Sequence, residues 1–419
     1  MSDKVSIYLF NKHIADIYQI DDRVYLRQFN RGAYLASPIS IAKEITDIET
    51  TSLVYLDRVA GFISDSLPGS FGTEILDNFF SKNNSGDKPT IIDKLIFIGN
   101  RGLGALEFRP AHEFNDDTKK IMSLKEIYEE VKKLKQGDNF KPIHDAFLVS
   151  AHSFVGGARS KAVASINLAS NEVYFGDRTK KPPLGFTPVI IKYDDTQNGD
   201  ENKSTYSKLE YIYYLLSIES GIEMSKCYLV ESNNKHHFVT QRFDIVDNKK
   251  FHVHSLAGLL HIDYNIPRSL GYEDLFRVAI KLNATASLEQ LFLQMLFNYM
   301  FVNQDDHARN FSFMCGDDYK WKATPAYDIT FAKGVKQTKE HQMTLNGKAL
   351  SQISLQEIVN IATEFSINLE FISNAIDKMK NLRSSKLIFL MKKYNVSKDK
   401  QKQVLKEVML RDFQGELDE

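Results

Sequence analysis

Alternation of apolar and polar positions indicates β-strands at the start of the chain. Every second residue from Val5 to Leu9 is aliphatic, which is typical of a strand with one buried face. A second strand-like run covers residues 24–29 and ends at an Asn-Arg-Gly turn. The pattern therefore predicts a β-rich N-terminal unit.

Apolar positions with helical spacing dominate the second half. The run from Leu291 to Val302 is mostly apolar, and residues 275–282 and 355–365 each place apolar side chains on one helical face. Ser255 precedes a Leu-rich segment and is a predicted helix N-cap. These stripes predict a helical C-terminal unit whose apolar residues form a core.

Between these units lie a predicted helix and a glycine-rich turn. Ser123 and Glu126 have the spacing of a capping box, and the helix they open ends in a polar stretch at residues 136–139, a predicted domain boundary. Residues 95–98 and 105–108 are predicted to be two strands joined by a glycine-rich hairpin. Its glycine spacing is not that of a dinucleotide-binding turn, and no helix is predicted after it.

Composition describes an ordinary soluble protein of 419 residues with 43% hydrophobic and 26% charged residues. The net charge of −1 favours neither nucleic acid nor a membrane surface. The two cysteines, Cys227 and Cys315, are too few for a disulfide framework, and His252 and His254 lack a nearby third metal ligand. No signal sequence or membrane-length apolar run is present, and a cytoplasmic location is predicted.

Candidate chemistry lies in the polar loop after Val302. Asp305 is followed five positions later by Asn310, and Asp328 lies downstream beside an Ala-Tyr pair. In a protein kinase an Asp with this spacing to an Asn orients and deprotonates the hydroxyl, while the Asn and the later Asp hold Mg²⁺. A surface loop with acidic residues is the alternative at this level.

Two upstream segments would complete an ATP site. Residues 188–193 form an apolar strand that ends near Lys192, as the ATP-pairing lysine of kinases does. Glu210 lies on a predicted helix. The sequence allows either a pairing of Glu210 with Lys192 or a solvated position. Adjacent glycines before two cations suit phosphate binding. This nucleotide loop contains Gly156, Gly157, Ala158, Arg159, Ser160 and Lys161.

The amino-acid sequence of these segments resembles that of the HipA family of bacterial serine/threonine protein kinases, the toxins of type II toxin–antitoxin pairs. The similar segments run in order from Asp65-Ser-Leu-Pro-Gly, through the nucleotide loop, to residues 303–312, 325–328 and 341–348. The resemblance implies an α+β, two-lobed kinase-like fold with an N-terminal β-rich subdomain and an all-helical C-lobe. The implied domains are 1–145, 146–245 and 246–419.

The resemblance also assigns further site residues. Gln241, Phe243 and Asp244 would line the nucleotide, with Asp244 at the ribose, and His307 would join the cofactor site. Family members that inactivate themselves phosphorylate a Ser just ahead of the nucleotide loop. Phe154 occupies that position here, with Ser153 one place earlier, which puts self-inactivation in doubt.

The function implied is ATP- and Mg²⁺-dependent phosphorylation of a protein of the translation machinery, such as an aminoacyl-tRNA synthetase. A small helix-turn-helix antitoxin similar to HipB would neutralise the enzyme and would carry any DNA binding. Two alternatives stay open: a small-molecule phosphotransferase of kinase-like fold, and an ATP-binding pseudokinase that acts as a regulator.

Overall fold

Two antiparallel sheets and a mainly helical unit make up the protein, as seen in a computed structural model. The structure describes residues 4–83, 88–113, 121–136, 160–176, 181–194, 205–334 and 337–413. The mixed architecture is the predicted α+β, kinase-like one.

The N-terminal unit is built on a five-stranded sheet with the order β4-β3-β2-β1-β5. Val5, Ile7 and Leu9 are buried, which confirms the predicted alternation. The strands are β1 (Lys4–Leu9), β2 (Lys12–Ile20), β3 (Arg23–Gln28), β4 (Asp47–Glu49) and β5 (Leu106–Arg109). The helices are α1 (Gly32–Ala36), α2 (Gly61–Ser64), α3 (Ser70–Asn83) and α4 (Ile91–Ile98).

Helix α4 corrects one prediction. Residues 95–98 were expected to form a strand of a glycine-rich hairpin, but they form the last part of a helix. Thr90 caps this helix, accepting a hydrogen bond from the Asp93 N–H, while the Asp93 carboxylate accepts from the Thr90 N–H. This capping box satisfies backbone donors of the first turn, and a short apolar run alone does not distinguish a buried helix from a strand.

The second sheet has six strands in the order β10-β11-β9-β7-β8-β6. The strand of this sheet that comes first in the sequence is followed by a helix that begins at the predicted Ser123–Glu126 capping box. Both elements precede residue 145, the predicted end of the N-terminal subdomain. The strands are β6 (Ile121–Ser123), β7 (Lys161–Asn167), β8 (Glu172–Tyr174), β9 (Thr187–Lys192), β10 (Cys227–Ser232) and β11 (Lys235–Gln241). Helices α5 (Leu124–Gln136) and α6 (Thr205–Glu219) accompany them.

The rest of the chain is mainly helical, and it also contains short strands that the prediction of an all-helical lobe omitted. The helices are α7 (Leu256–Leu260), α8 (Tyr272–Lys281), α9 (Leu288–Met300), α10 (Leu355–Glu364), α11 (Leu369–Asn381), α12 (Leu387–Lys393) and α13 (Lys398–Val408). Strands β14 (His252–Ser255), β15 (Ser312–Cys315) and β16 (Trp321–Ala323) form a sheet. Two hairpins pair β12 (Ile245–Val246) with β13 (Lys249–Lys250), and β17 (Thr344–Leu345) with β18 (Lys348–Ala349).

Two hydrophobic cores hold these units. One joins the N-terminal sheet to one face of the six-stranded sheet, through residues such as Ile7, Ala162 and Val189. The other is the core of the helical unit, and it includes Leu209 and Ile212 of α6. Helix α6 is therefore fixed to the helical unit although it precedes two strands of the sheet. Among the described helices, none combines the length and apolar character needed to cross a bilayer.

The N-terminal unit meets the helical unit where α2 lies against α7. A Cβ atom added at Gly61 would lie 2.0 Å from the carbonyl oxygen of Gly258. Such a distance excludes any side chain at this point, because two backbone segments would have to separate.

We expect Gly61→Ala to lower the free energy of unfolding by about 1–3 kcal/mol or more through this overpacking. Urea unfolding followed by circular dichroism measures the change. Gly316→Ala is the control, because a Cβ there would lie 3.5 Å from its nearest neighbours, an ordinary contact. Equal stabilities of the two variants would show that the α2–α7 approach is not constrained.

Candidate active site

Lys192 occupies the centre of the candidate site. It is the last residue of β9, and its Nζ donates hydrogen bonds to the carboxylates of Glu210 and Asp328. Burial alone would lower the pKa of Lys192, but the charges of Asp328 and Glu210 outweigh it and raise that pKa. The ammonium therefore stays charged and joins three segments that are distant in sequence.

Glu210 is buried rather than solvated, so the structure decides between the two alternatives that its sequence left open. It lies on α6, which packs in the helical core through Leu209 and Ile212. The Tyr213 hydroxyl on the same helix donates to the carbonyl of Phe301 at 2.6 Å. This bond connects the Glu210 helix to the residue at which α9 ends.

The loop after α9 contains two adjacent acidic residues with opposite surroundings. The side chain of Asp305 is 47% exposed, and its Oδ1 lies 3.9 Å from His307 Nε2. The side chain of Asp306 is completely buried. Only Asp305 can therefore meet a substrate hydroxyl from solvent, which is the role its spacing predicts.

Asp306 anchors the loop. Its carboxylate accepts hydrogen bonds from the Tyr272 hydroxyl at 2.7 Å, from His341 Nδ1 at 2.8 Å and from the Gln342 N–H at 2.7 Å. The Tyr272 hydroxyl also accepts from Asn298 Nδ2 at 3.2 Å. These bonds connect the loop to α8, to α9 and to the chain that follows Asp328.

Asn310 and Asp328 are brought together by a tyrosine. The Tyr327 hydroxyl donates to the carbonyl of Arg309 at 2.9 Å, so the residues immediately preceding Asn310 and Asp328 are in direct contact. Asn310 Nδ2 donates to the Asp305 carbonyl at 2.7 Å, which fixes the orientation of its side-chain amide. Burial would raise the pKa of Asp328, but Lys192 and Lys161 hold it well below its ordinary value.

The nucleotide loop is described in part. Ser160 is buried, and Lys161 pairs with Lys192 across β7 and β9, so both cations lie on one face of the sheet. The remaining predicted members of the loop, Gly156, Gly157, Ala158 and Arg159, lie outside the described residues. Ser153 and Phe154 also lie outside them.

The three residues predicted to line the base and ribose differ in their surroundings. Gln241 ends β11, and its side-chain amide donates to the Tyr228 hydroxyl at 3.2 Å. Phe243 stacks on Tyr327, with ring centroids 5.8 Å apart, next to Asp328. Both are partly exposed and can contact a base.

Asp244 connects its own segment to the N-terminal unit. Its oxygens accept bonds from Arg242 at 2.6 and 2.9 Å and from the Gly104 N–H at 2.7 Å. The side chain is buried, and Arg242 and Gly104 offset the effect of burial and lower its pKa. The contact with Gly104 spans 140 positions of the sequence, and the position of Asp244 at a ribose stays a prediction.

His307 lies in the loop after α9, with its ring 5.3 Å from that of Tyr264. Its Nδ1 is buried without a hydrogen-bond partner among the described residues, while Nε2 points towards Asp305. No group of three or more His, Cys, Asp or Glu side chains suited to a metal occurs in the part of the chain that the structure describes.

Sequence reasoning did not assign a role to Asp306, Tyr327, Arg309 or Asp65. Asp306 has the same side chain as its neighbour Asp305, so the sequence does not distinguish them. Tyr327 belongs to the motif at residues 325–328 but has no role of its own in it. Arg309 contacts the Ser64 carbonyl and Asp65 contacts His254 and Ser255, all across the two units, and no spacing rule relates residues so far apart. The one available signal was the Asp-Ser-Leu-Pro-Gly wording around Asp65.

The contrast between Asp305 and Asp306 predicts opposite effects on stability. Asp306→Ala removes the acceptor of three buried hydrogen bonds and should lower the free energy of unfolding by about 3 kcal/mol or more. Asp305→Ala, at a half-exposed position, should stay within about 0.5 kcal/mol of wild type. Guanidinium unfolding curves of both variants check this. A destabilised Asp305→Ala with an unaffected Asp306→Ala would reverse the assignment.

Comparison with known proteins places this geometry in a family. The HipA-like C-terminal domain family matches residues 153–386, more than half of the chain. No curated protein matches the chain significantly by sequence. HipA in the Shewanella oneidensis MR-1 toxin–antitoxin complex of HipA, HipB and operator DNA is similar in structure, at 14% identity and a TM-score of 0.66. The match covers 97% of this chain and 95% of that one.

The Helicobacter pylori proinflammatory kinase CtkA matches 54% of this chain and 90% of its own, at 11% identity and a TM-score of 0.32. The family match and the full-length structural likeness confirm the resemblance found in the motifs from Asp65 to Lys348, together with the HipA-like fold. The chain belongs to the HipA family.

Proposed function

We propose that the protein is an ATP- and Mg²⁺-dependent serine/threonine protein kinase. The observation that carries this proposal is the position of Lys192, whose ammonium binds Glu210 and Asp328 together. In protein kinases a strand lysine paired with a helix glutamate places the phosphates, and an aspartate close to it holds Mg²⁺. Membership of the HipA family supports it.

Asp305 would orient and deprotonate the substrate hydroxyl. Its side chain is half exposed at the entrance of the loop, while the loop itself is held from behind by the buried Asp306. A carboxylate so placed can accept the hydroxyl proton as the phosphoryl group is transferred. His307, within 3.9 Å of Asp305, would contribute positive charge when protonated.

Asn310 and Asp328 would hold Mg²⁺, and their donor atoms suit it. Asn310 presents an amide oxygen, and Asp328 has one carboxylate oxygen that does not contact Lys192. Mg²⁺ takes few protein oxygens and completes its coordination with phosphates and water, so a site with two protein ligands is sufficient. The bound ion would neutralise charge on the β- and γ-phosphates.

Lys192, Lys161 and Ser160 would position the phosphates, together with the glycines of the nucleotide loop. Gln241 and Phe243 would lie along the base. Asp244 would lie at the ribose, with Arg242 and Gly104 fixing its carboxylate. It would also hold the chain next to Phe243 in place.

We propose a protein of the translation machinery, such as an aminoacyl-tRNA synthetase, as the substrate, in the cytoplasm. A HipB-like helix-turn-helix antitoxin would bind the chain, and contact with DNA would be made through that partner. The similarity to HipA in a complex with HipB and operator DNA supports the partner, and the net charge of −1 suits indirect DNA contact.

The first test follows labelled γ-phosphate from ATP in a host lysate. Wild type should label one protein band in the presence of Mg²⁺, and Asp305→Asn should reduce the rate by about 10²–10⁴-fold, since it removes the general base without changing the shape of the side chain. Asp247→Asn, in an exposed turn, is the control and should keep full activity.

Other outcomes separate the alternatives. A labelled metabolite in place of a protein would identify a small-molecule phosphotransferase. ATP binding without any transfer would identify a pseudokinase and contradict the proposed mechanism. Label on the enzyme alone would direct mapping to Ser153 and neighbouring hydroxyls.

The metal assignment gives a second prediction. Asn310→Ala should raise the Mg²⁺ concentration needed for half-maximal transfer by about tenfold, equivalent to the loss of about 1.4 kcal/mol of ligand binding. Titration of Mg²⁺ after treatment with a chelator measures it. Asn265→Ala, at an exposed turn, is the control. An unchanged Mg²⁺ requirement in Asn310→Ala would remove Asn310 from the metal site.

A further inference from the structure

Asp65 is a residue of the N-terminal unit whose side chain is bound entirely by the kinase-like part. It directly follows α2, and one oxygen accepts from His254 Nδ1 at 2.6 Å and from the Ser255 N–H at 2.7 Å. The other oxygen accepts from the Ser255 hydroxyl at 2.7 Å. Burial would raise the pKa of Asp65, but His254 and Arg309 lower it, so the carboxylate stays charged.

Arg309 contacts the end of α2 next to Asp65. Its guanidinium donates to the carbonyl of Ser64 at 3.1 Å and to the Tyr264 hydroxyl at 3.2 Å. It also lies over the Tyr264 ring, 5.3 Å from the centroid. Arg309 is next to Asn310 in sequence, so α2 of the N-terminal unit directly restrains the proposed metal-binding residue.

The restraint continues to the second metal-binding residue. The Arg309 carbonyl accepts from the Tyr327 hydroxyl, and Tyr327 precedes Asp328. The Ser312 hydroxyl donates to Tyr327 at 2.6 Å, since the tyrosine proton is already used towards Arg309. Polar contacts therefore run from the Ser64 carbonyl, next to Asp65, through Arg309 to Tyr327, and the two proposed metal ligands directly follow Arg309 and Tyr327 in sequence.

Backbone contacts keep this junction closed. The Gly61 N–H donates to His261 Nε2 at 3.0 Å, and burial lowers the pKa of His261 to about 4, so the ring is neutral and able to accept. The Tyr55 hydroxyl donates to the His261 carbonyl at 2.7 Å. With the Gly61–Gly258 approach, these bonds hold α2 at a fixed distance from the helical unit.

We propose that Asp65 is a positioning residue for phosphoryl transfer: through Arg309 it holds Asn310 and Asp328 in the geometry that transfer requires. This inference rests on the proposed kinase function. Asp65 does not touch the nucleotide, so its removal should slow the chemical step and leave nucleotide affinity unchanged. Small displacements of catalytic groups reduce rates on the order of 10²-fold.

The test compares Asp65→Asn with Asp16→Asn. Asp16 is also buried and also accepts from a serine and a histidine, Ser6 at 2.7 Å and His13 at 2.8 Å, but it lies within the N-terminal sheet. We expect kcat per folded molecule of Asp65→Asn to fall 10- to 100-fold, with KM for ATP within twofold of wild type. Asp16→Asn should keep both values.

A second readout does not require activity. Hydrogen exchange of a peptide covering residues 303–312 should become faster in Asp65→Asn and remain unchanged in Asp16→Asn. If wild type transfers no phosphate, the proposed function fails, while this exchange measurement still decides whether Asp65 restrains the loop. Unchanged exchange together with unchanged kcat would overturn the proposal.

Arg309→Lys provides the same test if Asp65→Asn does not fold. Lysine keeps the charge but lacks the planar fork that reaches both Ser64 and Tyr264. A comparable loss of kcat, at constant KM for ATP, is expected. In the double variant with Asp65→Asn the losses should not add, because Asp65 acts by fixing the end of α2, where the Ser64 carbonyl binds Arg309. Additive losses would show that the two residues act independently.

Discussion

The single cation between two carboxylates at Lys192 is the interaction on which the candidate site depends. It brings together the end of β9, helix α6 and the loop of Asp328, which are far apart in the sequence. Removing one partner from such a group leaves an uncompensated buried charge, which is strongly destabilising. Lys161, the second cation beside Asp328, balances the charge of this group.

The helix that carries Glu210 packs on both the sheet and the helical core. Glu210 lies on a helix whose apolar face belongs to the helical unit, and Tyr213 binds the end of α9. The glutamate and the loop after α9 are therefore connected through Tyr213, and Lys192 adds a polar connection from the sheet. The end of α2 adds a further connection from the N-terminal unit, through Asp65 and the Ser64 carbonyl.

Local patterns predicted the parts of the site that depend on neighbouring residues. The capping box at Ser123, the N-cap at Ser255 and the helix leading into the catalytic loop follow from spacing and side-chain chemistry. The prediction of a strand at residues 95–98 was wrong because a run of four apolar residues suits a helix or a strand equally. The partners of Asp244 and Asp65 could not be predicted, since these contacts span 140 and about 190 positions of the chain.

Backbone conformation shows why the loop geometry needs this much support. Val302, where the chain leaves α9, and Asp328 both have left-handed φ values, of 59° and 54°. For a β-branched residue this conformation costs on the order of 1–3 kcal/mol and persists only where the surroundings impose it. Here the Ala332 N–H donates to the Val302 carbonyl at 3.0 Å, and the Asn303 N–H donates to that of Asn298 at 2.9 Å. The helix end and the Asp328 loop thus fix each other, and the direction in which Asp305 leaves the helix follows from both.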